Sequence, residues 1–490
     1  MGRHAVRGHV MIATVARKEF AEIVRDGRFR WTAALMVLLL VTAILAGWQR
    51  YNTYMTIQAA AQGSTNTQWL KQGDKNPHTA AHFGNYAFKP LGPLAFFDSG
   101  ITSYAGTAVF MEAHKQNFAI GRPASDTSSI ARFGELNGAM ILQVLMPLLI
   151  IFLGFTAFSG ERESGTLRQV LSMGVSRSTL LWGKAVGLGS AVLLVVVPCL
   201  VAGGLVLAAT GLETVGEGIG TRIVLMGLAY LLYAATFLFL TLAVSAWAKT
   251  ARAALMVMVG FWALTAFIMP KVAAEVSKVA HPSPAFGTFM AELKEHQKRG
   301  IDGIPPFAKL GRYQGETLRK YNVSRVEDLP VYWTAMRMQK LEEIDQPVFD
   351  QHYGAVRDTY VAQSRLQDRL GLVAPTLPLR SISMALAGTD LVVQTKFMAD
   401  AEKFRHDMVF KMNDYLSRAA ANLNGSNSAS NFMIANEDVF AIVPPFRYEP
   451  PALGATIREQ AGNLGLLGLW LAVAVGLAWA ATNRMTLEKT

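Results

Sequence analysis

The densest run of chemistry-bearing residues lies at 160–184. Gly160-Glu161-Arg162-Glu163-Ser164-Gly165-Thr166-Leu167-Arg168 is followed by Gln169-Val170-Leu171 and closed by Gly183-Lys184. Ser164 suits an N-cap, and the spacing predicts a short helix over Thr166–Met173 with Leu167, Val170 and Leu171 on one face. Glu161 and Glu163 stand near its N-terminus, the end that favours anions, and Arg162 and Arg168 flank it. A short helix with an apolar face and a charged rim is a docking element for another protein. The competing reading is an amphipathic connector lying among lipid headgroups.

Nucleotide chemistry has no place to happen in this chain. A phosphate-cradling loop needs Gly, four residues, then Gly-Lys-Ser/Thr. Here Gly183-Lys184 is followed by Ala185, and Ser178 stands where the first glycine belongs. If ATP powers the protein, another chain binds it. His78-Thr79-Ala80-Ala81-His82 sets two imidazoles at i and i+4, one face of a helix, which can hold a metal. His114 follows at a distance and no third ligand stands at motif spacing, so His78 and His82 remain candidates and no metal centre is predicted. Asn322-Val323-Ser324 and Asn424-Gly425-Ser426 match glycosylation acceptors but are assigned no function. The 21 methionines fall mostly at apolar positions, as core filler.

These residues are carried by an apolar chain. Charged residues make up 17% of it, against about 25% in soluble domains. The deficit gathers in six windows free of Asp, Glu, Lys and Arg: Trp31–Trp48, Ala139–Phe158, Ala185–Thr210, Ile223–Trp247, Ala253–Met269 and Gly462–Thr482. About 20 apolar residues cross a hydrocarbon core, so each qualifies as a span, the fifth narrowly. The fold class predicted is an all-α integral membrane protein. No ionisable side chain lies inside any window, which argues against a proton- or sodium-coupled carrier. Pro147 and Pro198 can kink their helices around a pathway. The lone Cys199 sits in the third window, so no intrachain disulfide forms.

The net charge of +11 is distributed as a topology signal. Residues 1–30 carry +4, 160–184 carry +2, 248–253 carry +2 and 483–490 carry +1. The short loop 211–221 has Glu213 and Glu217 and no base. Basic loops face the cytoplasm, which places both termini there and leaves no nucleic-acid footprint. Ahead of the first window, Ile12, Ala16, Phe20 and Val24 recur every four residues, with Arg17, Lys18, Glu19, Glu22, Arg25 and Asp26 between them. Residues 1–30 thus read as a cytoplasmic amphipathic helix in the headgroup layer, in contact with membrane lipids.

Two large segments then fall outside. Residues 49–138 are rich in Gly, Asn, Thr and aromatics, with turn signals at Gly73-Asp74, 89–93 and Gly121-Arg122-Pro123. Residues 270–461 are charge-balanced, with 22 basic and 22 acidic side chains over 273–460. Helical periodicity predicts two long helices there, Pro330 to about Leu372 and Asp390 to about Leu423, with a short apolar one at Leu379–Ala387. Ala421–Asn431 reads as a loop and Pro444–Pro451 as an extended strap.

At Gly160–Leu167, with the later Ser-Arg and Gly183-Lys184, the sequence resembles the coupling-helix signature of the ABC-2-type permease superfamily. Ala16-Arg17-Lys18-Glu19-Phe20 is similar to that family's N-terminal connecting helix. The insertions resemble the branch linked to multicopper-enzyme maturation (NosY-like), at His82-Phe83-Gly84, Pro93-Leu94-Ala95 and Gly388-Thr389-Asp390. The resemblance implies a non-enzymatic permease subunit with six spans in the plasma (bacterial inner) membrane, pairing with a second permease subunit and separate ABC ATP-binding subunits. It binds no cofactor itself, ATP and Mg being used by the partner. Glu161, Arg162, Glu163, Gly165, Thr166, Leu167, Arg168, Val170 and Leu171 would be its ATPase-docking residues. Export of a substrate is the leading expectation. The alternative is a mechanotransmission complex whose outer domain acts on an extracytoplasmic protein.

Overall fold

The computed structural model describes residues 2–122, 136–209, 218–420, 424 and 435–485. The acidic loop at 211–217, most of the Ala421–Asn431 loop, Pro123 and the tail beyond 485 lie outside the described residues. Six helical stretches are long and apolar enough to cross a membrane: Gly27–Leu70, Gly138–Glu163, Arg177–Leu205, Ile219–Trp247, Ala251–Ala280 and Ala461–Asn483. Almost no strand accompanies them. The one ribbon among the described residues pairs β1 (Asn85–Phe88) antiparallel with β2 (Ala108–Met111), Asn85 opposite Met111 and Phe88 opposite Ala108.

The N-terminal helix α1 (Gly2–Arg25) stops five residues short of the expected boundary. Asp26 leaves helical geometry at ψ 126° and its side chain caps the next helix by accepting from Arg28 N. Residues 27–30 therefore open α2 (Gly27–Leu70). The helix also has a protein neighbour. α1 lies along α7 (Arg177–Ala209), where glycine lets the two backbones meet: a Cβ at Gly183 would stand 2.6 Å from Val15 Cβ, and one at Gly187 2.7 Å from Glu19 Cβ. Ala16 is buried in that contact, so protein covers part of the stripe assigned to lipid.

α2 also overrides its sequence reading. The apolar window ends at Trp48, yet the helix continues without interruption to Leu70 through polar sequence. Side chains on the extension carry the ribbon: Gln58 Nε2 and Gln62 Nε2 donate to the Phe88 and Tyr86 carbonyls, and Tyr54 Oη donates to Lys89 O. At its end the buried Trp69 donates Nε1–H to Phe440 O at 3.0 Å. The first insertion thus begins as a continuation of the first span, and the chain turns only after it, with Gly73 at φ 79°.

α8 (Ile219–Trp247) is the axis of the bundle. Its Tyr233, Phe237 and Leu242 are fully buried against α4 (Gly138–Gly154), α7 and the final helix Ala461–Asn483. Lipid supplies no hydrophobic drive between spans, so close approach of small residues holds them. Ala191, Ala246, Ala474 and Ala478 are buried at 0–1% exposure, and a Cβ on Gly154 would meet Leu188 and Thr241 at 2.9 Å. The fifth stretch joins α9 (Ala251–Ala263) through a π-helical turn, Leu264–Ile268, to α10 (Met269–Ala280). Its helix outruns the narrow apolar window at the far end, so length does not limit it.

After α11 (Phe286–Arg299) and α12 (Pro306–Lys320), the two long outer helices are α13 (Trp333–Arg369) and α15 (Leu391–Ala419). Between them α14 (Thr376–Ala387) accommodates Pro378 in its first turn, where no intrahelical N–H is needed. This helix does not stay outside. Its Thr376 and Ser383 bond the Tyr233 and Tyr230 hydroxyls, and Arg222 donates to its Ala385 and Leu386 carbonyls. Arg222 to Tyr233 is about 16 Å along α8. The end of the final span agrees, since Trp470 Nε1 donates to Gly371 O. α14 therefore wedges into the bundle alongside α8, and the segment expected as an external domain is partly interior.

Candidate functional site

At the end of the bundle opposite α14, the chain folds 159–172 into two short helices. α5 (Ser159–Glu163) follows α4 after one turn, and Gly165 at φ 79° redirects the chain into α6 (Thr166–Ser172). A second left-handed glycine, Gly174 at φ 84°, ends it. A side chain at either glycine would be strained, which explains their placement around a seven-residue helix. Ser245 of α8 anchors the start: its Oγ accepts from Phe158 N and Ser159 N and donates to Phe155 O.

The three charges of the Glu-Arg-Glu run have separate internal partners. Glu161 Oε1 accepts from Lys184 Nζ at 2.9 Å and Lys18 Nζ at 3.1 Å. Arg162 reaches across to the carbonyls of Ala246 and Ala248, the C-terminal end of α8, where a cation satisfies orphan acceptors. Glu163 accepts from Ala251 N, the start of α9, where an anion meets the positive helix end. One tripeptide therefore ties α1, α7, α8 and α9 together.

Lys184 is the centre of that knot. Its side chain is 2% exposed, held between Glu19 Oε1 at 2.7 Å and Glu161 Oε1 at 2.9 Å, with the Phe158 ring 5.4 Å away. Lys18 closes the group from the solvent side, 3.2 Å from Glu19 and 3.1 Å from Glu22. Partial burial disfavours the Lys18 ammonium, but the carboxylates of Glu19 and Glu161 outweigh it and hold its pKa above the ordinary lysine value. Two lysines and three glutamates thus form a semi-buried cluster, with Glu22 on its exposed rim. The roles of Glu19 and Lys18 were not assigned from sequence. The available signal was a lysine, Lys184, standing directly before a long apolar run.

The apolar face of α6 turns inward. Leu167 is 2% exposed and joins the main core, with Val170 and Leu171 packed against it. This corrects the picture of an outward apolar docking face: Leu167, Glu161 and Arg162 are engaged within the chain. What α6 presents to solvent is Thr166, Arg168, Gln169, Ser172 and Met173, the last 72% exposed. Beside it, between α8 and the final helix, a hollow is lined by Arg162, Trp247, Lys249 and Arg484.

The other predicted candidates, His78 and His82, lie far from this end, on the short helix α3 (Pro77–Phe83). The structure brings His114 to them from the turn after β2, which sequence spacing did not connect. Within the bundle, an apolar cavity opens among α2, α4, α7 and α8, lined by Leu40, Ile44, Met146, Val196, Met226 and Tyr230.

Six apolar helices long enough to span a bilayer, with a clamped pair of short helices at one end and a large folded domain at the other, define a polytopic helical membrane protein. The family model described as ABC-2 family transporter protein matches residues 13–487, and the chain belongs to that family. Its members are membrane transport components, not catalysts, and normally work with an ATP-binding subunit. No curated protein matches the chain.

Proposed function

We propose that the chain is the permease subunit of an ATP-driven exporter in the plasma (bacterial inner) membrane, paired with a second permease subunit and coupled to separate ATP-binding subunits. Both termini and α5–α6 face the cytoplasm, as the basic charge of those segments supports. The carrying observation is the α5–α6 clamp. Its inner charges bind four helices together while Arg168, Gln169, Ser172 and Met173 face outward, so force applied to α6 reaches α1, α7, α8 and α9 at once. The apolar cavity lined by Leu40, Met146 and Tyr230 suits an amphiphilic or lipid-like cargo.

A second reading keeps the ATPase but transmits movement without bulk transport. The α14 wedge favours it, because the outer domain is rooted among the spans and must follow them. The insertions' resemblance to the multicopper-maturation branch belongs with this reading.

The docking claim is tested by co-expressing the permease with the ATP-binding subunit. Gln169→Glu with Met173→Asp should abolish co-purification while leaving the permease's unfolding midpoint unchanged; intact co-purification with normal ATP turnover refutes it. Proteoliposomes then separate the readings: ATP-dependent movement of an amphiphile supports export, and ATPase activity stimulated only by an outer protein supports transmission.

A further inference from the structure

The cluster of His78, His82 and His114 is independent of the transport reading and lies at the far end of the molecule from α5–α6. His78 Nε2 is 3.2 Å from His82 Nε2 and 3.3 Å from His114 Nε2, and the ligand atoms of all three lie within 4.8 Å of one another. Two nitrogens bound to one zinc at about 2.0–2.1 Å and a tetrahedral angle stand about 3.3–3.4 Å apart. The two pairs that share His78 are already at that spacing.

The outer hydrogen bonds fix which nitrogen carries the proton. His78 Nδ1 is 2.8 Å from Asn413 Oδ1, and Asn413 Nδ2 in turn donates to Gln339 Oε1, so the amide oxygen faces the ring. That makes Nδ1 the donor and leaves a lone pair on His78 Nε2. His114 Nδ1 is likewise 2.8 Å from Glu342 Oε1, a carboxylate that can only accept. Glu342 is itself fixed by Arg405, 3.0 Å from its other oxygen, and Arg405 by Glu402 at 2.8 Å. Protons alone satisfy this arrangement poorly. His82 and His114 would both have to donate to the single lone pair of His78, with His114 charged.

The backbone points the same way. His114 adopts φ 64°, one of two non-glycine residues with positive φ among the described residues. Strain of this kind concentrates where a side chain must be aimed. Two backbone bonds hold it: His114 N donates to Glu342 Oε1, and Ala113 N donates to Ala81 O of α3.

We propose that His78, His82 and His114 form a three-imidazole site for a divalent transition-metal ion of the zinc class. Carboxylate and amide partners on the remote ring nitrogens are the usual outer support of such a site. All-imidazole ligation suits zinc and copper over magnesium or calcium, and the spacing of the two pairs that share His78 fits a tetrahedral zinc. His78 is buried and His82 exposed, so the fourth position opens toward solvent. A bound ion would join α3 and the turn after β2, while Asn413 and Glu342 tie the same rings to α15 and α13. It would therefore pin the first insertion to the second.

The test uses the full chain, free of any histidine tag, stripped with a chelator in detergent. Zinc should bind at one ion per chain in competition with a chromophoric chelator and raise the unfolding midpoint. His82→Ala, an exposed site whose loss spares the core, should weaken binding at least 10–100-fold and cancel the thermal shift. His82→Cys should restore binding and, with cobalt, add a thiolate charge-transfer band that wild type lacks. Wild type binding zinc no more tightly than His82→Ala overturns the proposal, leaving a proton-sharing cluster. So does stoichiometric binding that gives no new cobalt band in His82→Cys.

Discussion

Replacing Lys184 by methionine gives the sharpest test of the clamp. Lys184 Nζ lies 2.7 and 2.9 Å from two carboxylates and is 2% exposed. At an effective dielectric near 20, each contact is worth about 6 kcal/mol of raw attraction, most of it offset by desolvation. Removing one member of a buried pair costs about 3–5 kcal/mol, because the remaining charge is stranded. Here Lys18, 49% exposed, still neutralises part of the charge on Glu19 and Glu161, which places Lys184→Met near the lower end, at about 3 kcal/mol. Glu161→Gln alone leaves Lys184 paired with Glu19 and should cost about 2 kcal/mol. The double variant strands no charge, since Lys18 and Glu19 remain together, and should also cost about 2 kcal/mol, a coupling of about 3 kcal/mol. Denaturant-titrated unfolding of the purified permease in detergent measures all three. Additivity within about 0.5 kcal/mol would falsify the clamp. The double variant should still co-purify with an ATP-binding subunit, because the cluster faces inward.

Three further outcomes follow from the same geometry. Leu167→Ala should destabilise the permease by about 2–5 kcal/mol, whereas Met173→Ala should stay within about 0.5 kcal/mol, both read as unfolding free energies. Gly92→Ala would set a Cβ 2.1 Å from Ala387 O, a backbone atom that cannot yield, so hydrogen exchange across α14 should accelerate markedly. Burial, then the neighbouring Glu342 carboxylate, pushes Asp345 up to about 6 from its ordinary 3.8. Folding thus favours its protonated form, a contribution present below the unfolded pKa and lost as pH rises through about 6. Asp345→Asn should raise stability by on the order of 1 kcal/mol at pH 7.5, the gain shrinking toward pH 4, as followed by thermal midpoints in chelator.

The apolar windows and the helical outer segments were legible because each rests on local periodicity. The Glu-Arg-Glu run was legible as a site, but not its orientation: Leu167, Val170 and Leu171 share one face whether a partner or the chain's own core covers it. α2 beyond Trp48 was hidden because its polar stretch is stabilised by bonds to β1 that sequence spacing cannot show. The wedge of α14 depends on Tyr230 and Tyr233, far back in the chain, finding Ser383 and Thr376. His114 joined His78 and His82 only in space. The outer partner of His78, Asn413, stands 335 residues from it, beyond any motif.

The unbroken run of α2 sets a mechanical ratio. Its 44 residues measure about 66 Å, of which a bilayer core takes about 30 Å. Pivoting such a rod by 10° about the break at Asp26 sweeps its tip through about 11 Å. The tip is not free, since Trp69 is bonded to Phe440. A small angular change beside the Lys184 cluster would thereby be multiplied into a displacement about the width of a helix, directed at the fold that holds the three histidines.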